Sequence, residues 1–249
     1  MQATLFQLDN YGPWTTTPEP RPEMHLQTLQ SRLYADIAEA VGDHDGYAFY
    51  ARGDNIVALT PGMDRSAHRD LLGRLDEDYP VSASAAIGTG DTPRDALAAA
   101  TATLQEVGSA QDADRRRVLA GETGPTDAVE VAHFDVVDAT GEFTDTTDAY
   151  TAYRSITGGM AAVADSLADR GGLTFFVGGD NAIAVCSPLE RAAYETAIDE
   201  ARSAGIDLRV GIGAGEVPTD AGIRAKHALE RGRETGKPIT PAATASAER

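Results

Sequence analysis

Two aspartates recur in this chain at a fixed interval and in similar company. Asp54 lies in "RGDN" (52–55) and Asp180 in "GGDN" (178–181), each between two apolar runs. Asp9 and Asp135 each close a short apolar stretch, "LFQLD" and "VAHFD", 45 residues upstream. If each stretch and its hairpin are neighbouring strands, the two carboxylates approach one another. Like charges a few ångströms apart force one group to hold a proton unless a cation separates them. Hard oxygen donors with open positions suit Mg²⁺, which keeps several waters and binds phosphates. Two such ions can clamp the attacking and leaving oxygens of a phosphoryl displacement. Asp9, Asp54, Asp135 and Asp180 are therefore the candidate metal-binding and catalytic residues. Asp, Asn and Gly are also ordinary turn formers, so the repetition of the pair carries the reading.

The elements that must position these groups are themselves repeated. "DGYAFYARGDNIVAL" (45–59) aligns with "GGLTFFVGGDNAIAV" (171–185) at an offset of 126, with six identities in fifteen. "IGTGDTPRDA" (87–96) aligns with "IGAGEVPTDA" (212–221) at an offset of 125, with six in ten. "LFQLDN" (5–10) aligns with "VAHFDV" (131–136) at 126. Each half reads as strand, helix, hairpin, helix, strand, helix. In the first, Leu26, Leu29, Leu33 and Ile37 mark one helical face. Pro93 and Pro218 open the last helices. The order βαββαβα predicts an α+β fold of tandem duplicated ferredoxin-like domains, each an antiparallel sheet with helices on one face. The expected boundaries are 1–107 and 131–237, with a linker at 108–130 and a disordered tail at 238–249. The Ile-Gly-x-Gly strand ends fit close packing or a tight turn.

Composition narrows the class. The 249 residues carry a net charge of −18, and Lys226 and Lys237 are the only lysines. The acidity is spread along the chain, which fits a halophilic host better than an acidic protein that binds cations or basic partners, and it argues against nucleic acid as a partner. No 18-residue apolar run marks a membrane span, and the N-terminus lacks the pattern of a signal peptide. One cysteine, Cys186, excludes an internal disulfide and a cysteine-rich zinc site, so a cytoplasmic location is expected. No HExxH, CxxC or P-loop is present. His25, His44, His68 and His227 show no ligand spacing.

Several residues near the carboxylates are candidates for substrate contact. The loop "DNYGPWTTTPEPRPE" (9–23) is long and stiff, as functional loops often are. Asn10 adjoins Asp9, Thr15 offers a hydroxyl to phosphate, and Trp14 would stack on a base or plug the core. In the second half "DVVDATGEFTD" (135–145) offers Gly141, Thr144 and backbone amides to a triphosphate. Asn181 adjoins Asp180. His133 could serve as a base, a base-contacting residue or a core histidine. Gln111, Asp112 and Arg115 either reach substrate or belong to a polar linker.

"FQLDNYGPWTTTP", "LQSRLYAD", "LQEVGSAQD" and "GGDN" together resemble the archaeal GTP cyclohydrolase III (IIa) family, over about residues 2–237. Each half is similar, more distantly, to the palm-like domains of class III nucleotidyl cyclases and GGDEF-type diguanylate cyclases. The resemblance implies Mg²⁺-dependent opening of the imidazole ring of GTP. The implied product is 2-amino-5-formylamino-6-ribosylamino-4(3H)-pyrimidinone 5′-phosphate, with two phosphates released, for riboflavin and deazaflavin synthesis. It also implies two Mg²⁺ per site, activation by a monovalent cation such as K⁺, and a homotetramer. Which Asp pair works, or whether both do, stays open. Arg52-Gly53-Asp54 departs from the Gly-Gly-Asp turn of the second half. A nucleotidyl cyclase on the same fold and a non-catalytic GTP sensor are the competing readings.

Overall fold

The computed structural model describes residues 1–125 and 128–243. The chain divides into two compact units, Met1–Asp127 and Ala128–Arg249. The first contains β1 (Gln2–Leu8), α1 (Tyr11–Thr16), α2 (Glu23–Gly42), β2 (Tyr47–Arg52), β3 (Asn55–Leu59), α3 (Arg65–Asp78), β4 (Ala83–Thr89), α4 (Pro93–Glu106) and β5 (Leu119–Ala120). The second contains β6 (Val129–Val136), a π-helical turn (Thr140–Thr144), α5 (Ala149–Ala168), β7 (Leu173–Gly178), β8 (Asn181–Cys186), α6 (Arg191–Ser203), β9 (Leu208–Gly215), α7 (Pro218–Thr235) and β10 (Ile239–Pro241). Local chemistry sets several of these boundaries. The Asp64, Thr92 and Asp148 side chains accept backbone N–H groups at the starts of α3, α4 and α5, each cap contributing about 1 kcal/mol. Pro93 and Pro218 stand in the first turns of α4 and α7.

The sheets run β2-β3-β1-β4-β5 and β10-β9-β6-β8-β7, one order repeated. The first four strands of each are antiparallel, as expected. Each sheet then gains a fifth strand in parallel register, β5 on β4 and β10 on β9. β5 comes from the segment expected to be a linker, and β10 from the tail expected to be disordered. The remainder of that tail, 244–249, lies outside the described residues. Strands of two or three residues show no alternation for a sequence pattern to reveal.

The helices also depart from the one-face expectation. In the second unit Ala132, Phe134 and Val136 of β6 bury against Ile156, Met160, Val163 and Leu167 of α5 and Tyr194 and Ile198 of α6. α7 covers the opposite face. There a Cβ on Gly211 would lie 2.2 Å from the Ala225 carbonyl, and one on Gly213 2.2 Å from that of Ala221. In the first unit α2 and α3 share the core of Phe6 and Leu8, and α4 sits over Gly88, where a Cβ would lie 2.2 Å from Ala100 N. The Ile-Gly-x-Gly strands thus exist so that a small-residue helix can lie directly on the sheet.

Strand register corrects the internal alignment at one place. Phe6 pairs with Ile56 and Ala85, and Phe134 with Ala182 and Val210. Hairpins and last strands keep the offsets of 126 and 125, yet β1 and β6 correspond at 128. Asn10 and Asp138, both with left-handed backbone (φ 49° and 50°), agree with this register. The residue equivalent to Asp135 is therefore Gln7, and Asp9 corresponds to Val137. A two-residue slip preserves which side chains face the core, so the hydrophobic pattern could not expose it.

Candidate functional site

The hairpin between β7 and β8 turns on Gly178 and Gly179, both with positive φ (107° and 63°), a conformation open to glycine at little cost. A cavity of about 500 Å³ lies against this turn. Gly179, Asp180 and Phe176 form one wall, and Thr140, Phe143 and Thr144 of the π-helical turn another, with Tyr153 and Ile156 of α5 completing it. Its volume is in the range of small-molecule sites, and its walls are mostly apolar with a few convergent polar groups. Asp180 is half-buried, and its Oδ1 accepts from Asn181 Nδ2 at 2.8 Å. Asn181 Oδ1 in turn lies 3.0 Å from His133 Nε2, which must be the protonated nitrogen in this contact. Burial holds the His133 imidazole below the ordinary histidine value, against the opposing effect of that hydrogen bond. A neutral His133 thus orients Asn181, and Asn181 orients Asp180.

A second cavity, about 330 Å³, lies on the α7 side of the same turn. It is bounded by His133, Val177, Gly178, Asn181, Lys226, Leu229, Glu230 and Arg233. Asp135, 2% exposed, lies on that side of β6. Its carboxylate pairs with Arg233 through both oxygens, Nη2 to Oδ1 and Nε to Oδ2 at 3.3 Å, and Arg209 Nη1 is 3.9 Å from Oδ2. Val136 N donates to the Asp180 carbonyl (3.2 Å), so the backbones of Asp135 and Asp180 adjoin while their carboxylates have separate partners. The chemistry of this donor set fits a hard divalent cation: two carboxylates sit on paired strand ends, and the buried one already requires a positive charge beside it. Among the described residues no three His, Cys, Asp or Glu side chains are gathered as a metal site.

The first unit is built differently at the equivalent place. Asp9 is buried, and its acceptor positions are taken by Arg115 Nε (2.8 Å), Ser82 Oγ (2.8 Å) and the Arg117 amide (3.1 Å). Both side chains of the Asp9–Arg115 pair are at most 3% exposed. Asp54 Oδ1 accepts from Asn55 Nδ2 (2.7 Å), and Asn55 Oδ1 accepts from Gln7 Nε2 (3.0 Å). An uncharged amide thus stands where the second unit has Asp135. The space matching the larger cavity is filled. Tyr11, Gln30 and Tyr50 occupy the places of Ala139, Ile156 and Phe176. Gln30 Nε2 donates to Tyr11 Oη (2.8 Å), and Tyr50 Oη donates to Gln30 Oε1 (3.0 Å).

The remaining candidates separate along the same line. Thr144 lines the large cavity, and Asn181 and His133 the smaller one. Trp14 stacks on Tyr11 (centroids 5.9 Å apart), lies beneath the Arg21 guanidinium at 3.9 Å and packs against the core, which is the plug reading. The Thr15 hydroxyl donates to the Gly12 carbonyl (2.7 Å). The Asn10 amide donates to the Ala110 carbonyl (2.6 Å), tying the strand-end loop to the 108–117 segment. Arg115 serves Asp9, and Asp112 accepts from the Asp114 amide (3.0 Å). Sequence reasoning missed Arg233, Lys226 and Arg209. The one available signal was that Lys226 is one of two lysines in so acidic a chain. A further cavity of about 360 Å³ lies between α2 and α3, lined by Asp36, Glu39, Asp43 and Asp78; its charge is unsuited to a polyphosphate. Among the described residues no helix is long and apolar enough to cross a membrane.

Residues 1–246 match the profile of the family described as GTP cyclohydrolase III. A protein named GTP cyclohydrolase III 1 from Halobacterium salinarum is 53% identical over 240 residues, covering 94% of each chain. One named GTP cyclohydrolase III from Methanococcus vannielii is 42% identical over 237 residues, covering 94% of this chain and 89% of that one. Among solved structures, the active GGEEF domain of a diguanylate cyclase from Vibrio cholerae is similar over 48% of this chain and 85% of its own, with TM-score 0.40 and 12% identity. A bacterial light-regulated adenylyl cyclase is similar over 96% of this chain and 84% of its own, with TM-score 0.36 and 9% identity. Likenesses this distant carry no argument about chemistry.

Proposed function

The chain belongs to the GTP cyclohydrolase III family, and on that premise we propose that it opens the imidazole ring of GTP at the second-unit hairpin, with Mg²⁺. The product is 2-amino-5-formylamino-6-ribosylamino-4(3H)-pyrimidinone 5′-phosphate, and two phosphates leave. The observation that carries the placement is the pair of cavities divided by the Gly178–Asn181 turn. The larger, with Phe143, Tyr153, Phe176 and threonine hydroxyls, has the size and lining for a purine nucleoside. The smaller presents Lys226 and Arg233 to the phosphates. Asp135 and Asp180 would hold the divalent cations, which supply charge neutralisation and an activated water when bound. Asn181 and His133 keep Asp180 in one orientation, and Phe143 and Phe176 exclude water from one side of the base.

Activation by a monovalent cation such as K⁺ and assembly as a homotetramer complete the proposal, both supported by family membership. The acidic composition, with a close relative in Halobacterium salinarum, supports a halophilic host. The test is incubation with GTP and Mg²⁺ followed by mass and ultraviolet identification of the product. A formamidopyrimidine supports the assignment. A cyclic nucleotide with intact purine absorbance, or tight GTP binding without turnover, overturns it.

A further inference from the structure

We propose that Arg233 is a displaceable counter-ion: it neutralises Asp135 while the site is empty, yields that carboxylate to an entering divalent cation, and then joins Lys226 in holding polyphosphate. Asp135 sits on the central strand of its sheet and is almost fully enclosed, so its charge must be balanced at all times. Arg209, 3.9 Å away, is too distant to hydrogen-bond and cannot do this alone. Arg233 is free to leave in a way that Arg115 is not. The Arg233 side chain is 41% exposed and stands in the last turn of α7; its other ionic partner, Glu230, is on the same helix (2.7 Å). Arg115, by contrast, is 3% exposed, and its Asp9 partner is also held by Ser82 and the Arg117 amide.

The cavity beside Arg233 gives the guanidinium somewhere to go. Lys226, one of only two lysines in a chain of net charge −18, lines the same space. Lys226 and Arg233 face this cavity with one carboxylate, Glu230; once a divalent cation has taken Asp135, the remaining excess of positive charge suits an anion of phosphate chemistry. Swapping the charge on Asp135 from guanidinium to cation would release the guanidinium for that anion, which couples cation and polyphosphate binding with positive sign.

This inference rests on the second unit as the nucleotide site, but its test needs no GTP. Free Mn²⁺ is measured by electron paramagnetic resonance against the full-length protein in high salt. Arg233→Gln should bind Mn²⁺ tighter than wild type by about 5- to 10-fold, the lower end of ordinary coupling. In saturating Mn²⁺, the same variant and Lys226→Gln should each bind inorganic triphosphate about 10-fold more weakly. The Mn²⁺ gain should vanish when Asp135→Asn is added. Arg233→Lys keeps the charge and loses the two-point grip, so it should show a smaller gain in the same direction, and it carries the test should the glutamine variant not fold. Mn²⁺ binding that is absent, unchanged or weaker in the Arg233 variants overturns the counter-ion role, as does a gain that persists with Asp135→Asn. A protein that passes this test yet never opens GTP would refute the proposed reaction alone.

Discussion

Around the first hairpin, Tyr11, Gln30 and Tyr50 close on one another through hydrogen bonds; around the second, Ala139, Ile156 and Phe176 leave a cavity. Gln7 and Asp135 occupy one strand position, so the first unit has an amide where the second has a buried carboxylate. The difference reaches the far end of the same strands. Gln2, Thr60 and His68 of the first unit form a neutral network: Gln2 Nε2 reaches the Thr60 hydroxyl at 3.2 Å, and the Thr4 hydroxyl links Thr60 (2.7 Å) to His68 (2.9 Å). Glu130, Cys186 and Tyr194 stand at the matching places, with Tyr194 donating to Glu130 and burial pushing the Cys186 thiol up to about 12. A duplicated fold tolerates such divergence because the backbone ladder is satisfied whatever the side chains do. The comparison teaches that a shared Gly-Asp-Asn turn does not imply a shared site.

The largest expected effect would separate structural from chemical aspartates. Asp9→Ala leaves Arg115 buried without its partner, and breaking such a pair costs about 3–5 kcal/mol. Denaturant unfolding in high salt should show that loss. A variant of wild-type stability that has lost Mg²⁺ binding would break the distinction between the units. Next in size is turnover. Asp180→Asn should lower kcat by about 10²-fold by removing a charge from the proposed cation site, while Asp54→Asn stays within about 3-fold. Equal losses would mean that both hairpins work. A third substitution copies the first unit into the second. Ala139→Tyr should fill part of the cavity and raise the KM for GTP about 10-fold, roughly 1.4 kcal/mol, with the fold intact by circular dichroism. An unchanged KM would move the nucleoside elsewhere.

The smallest effect concerns pH. Burial holds His68 below the ordinary histidine value; its hydrogen bond to the Asp64 carbonyl and the Asp64 charge oppose this, while His44 and Arg65 add to it. The unfolded chain then binds more protons between the two values. Stability from this group is complete above the ordinary value and is lost as pH falls through the depressed one. Unfolding midpoints compared between neutral and mildly acidic pH should show a slope that His68→Gln reduces. Tyr194 and Cys186, both raised, contribute nothing in that window. A slope that His68→Gln leaves untouched would assign it to other groups.

Much of the fold was legible because it is local or periodic. The hairpins, the amphipathic α2 with Leu33 and Ile37 buried, and the proline-opened α4 and α7 all follow from short-range chemistry. The last helix of each unit was legible as a helix, but its face was not: that depends on glycines in β4 and β9 meeting alanines in α4 and α7. The counter-ions were illegible for a different reason. Arg115 is 106 residues from Asp9 and Arg233 is 98 from Asp135, and no periodicity spans such distances. The equal spacing of Asp9–Asp54 and Asp135–Asp180 misled because a two-residue difference between β1 and α2, against β6 and α5, hid the true register.

The fifth strand of each sheet has a consequence for the order in which the chain matures during synthesis. β1, made before the other strands of its sheet, lies at its middle and cannot be flanked on both sides until β4 has been made. Asp9 then waits, charged and without its cation, for residue 115, and the sheet edge waits for Leu119. At ribosomal speeds of about 5–20 residues per second, that leaves a window of several seconds in which the nascent first unit shows an open edge. The second unit reaches the same state only with Ile239–Pro241, made after every other strand of its sheet. Each sheet is thus closed at that edge by the last of its own strands to be made.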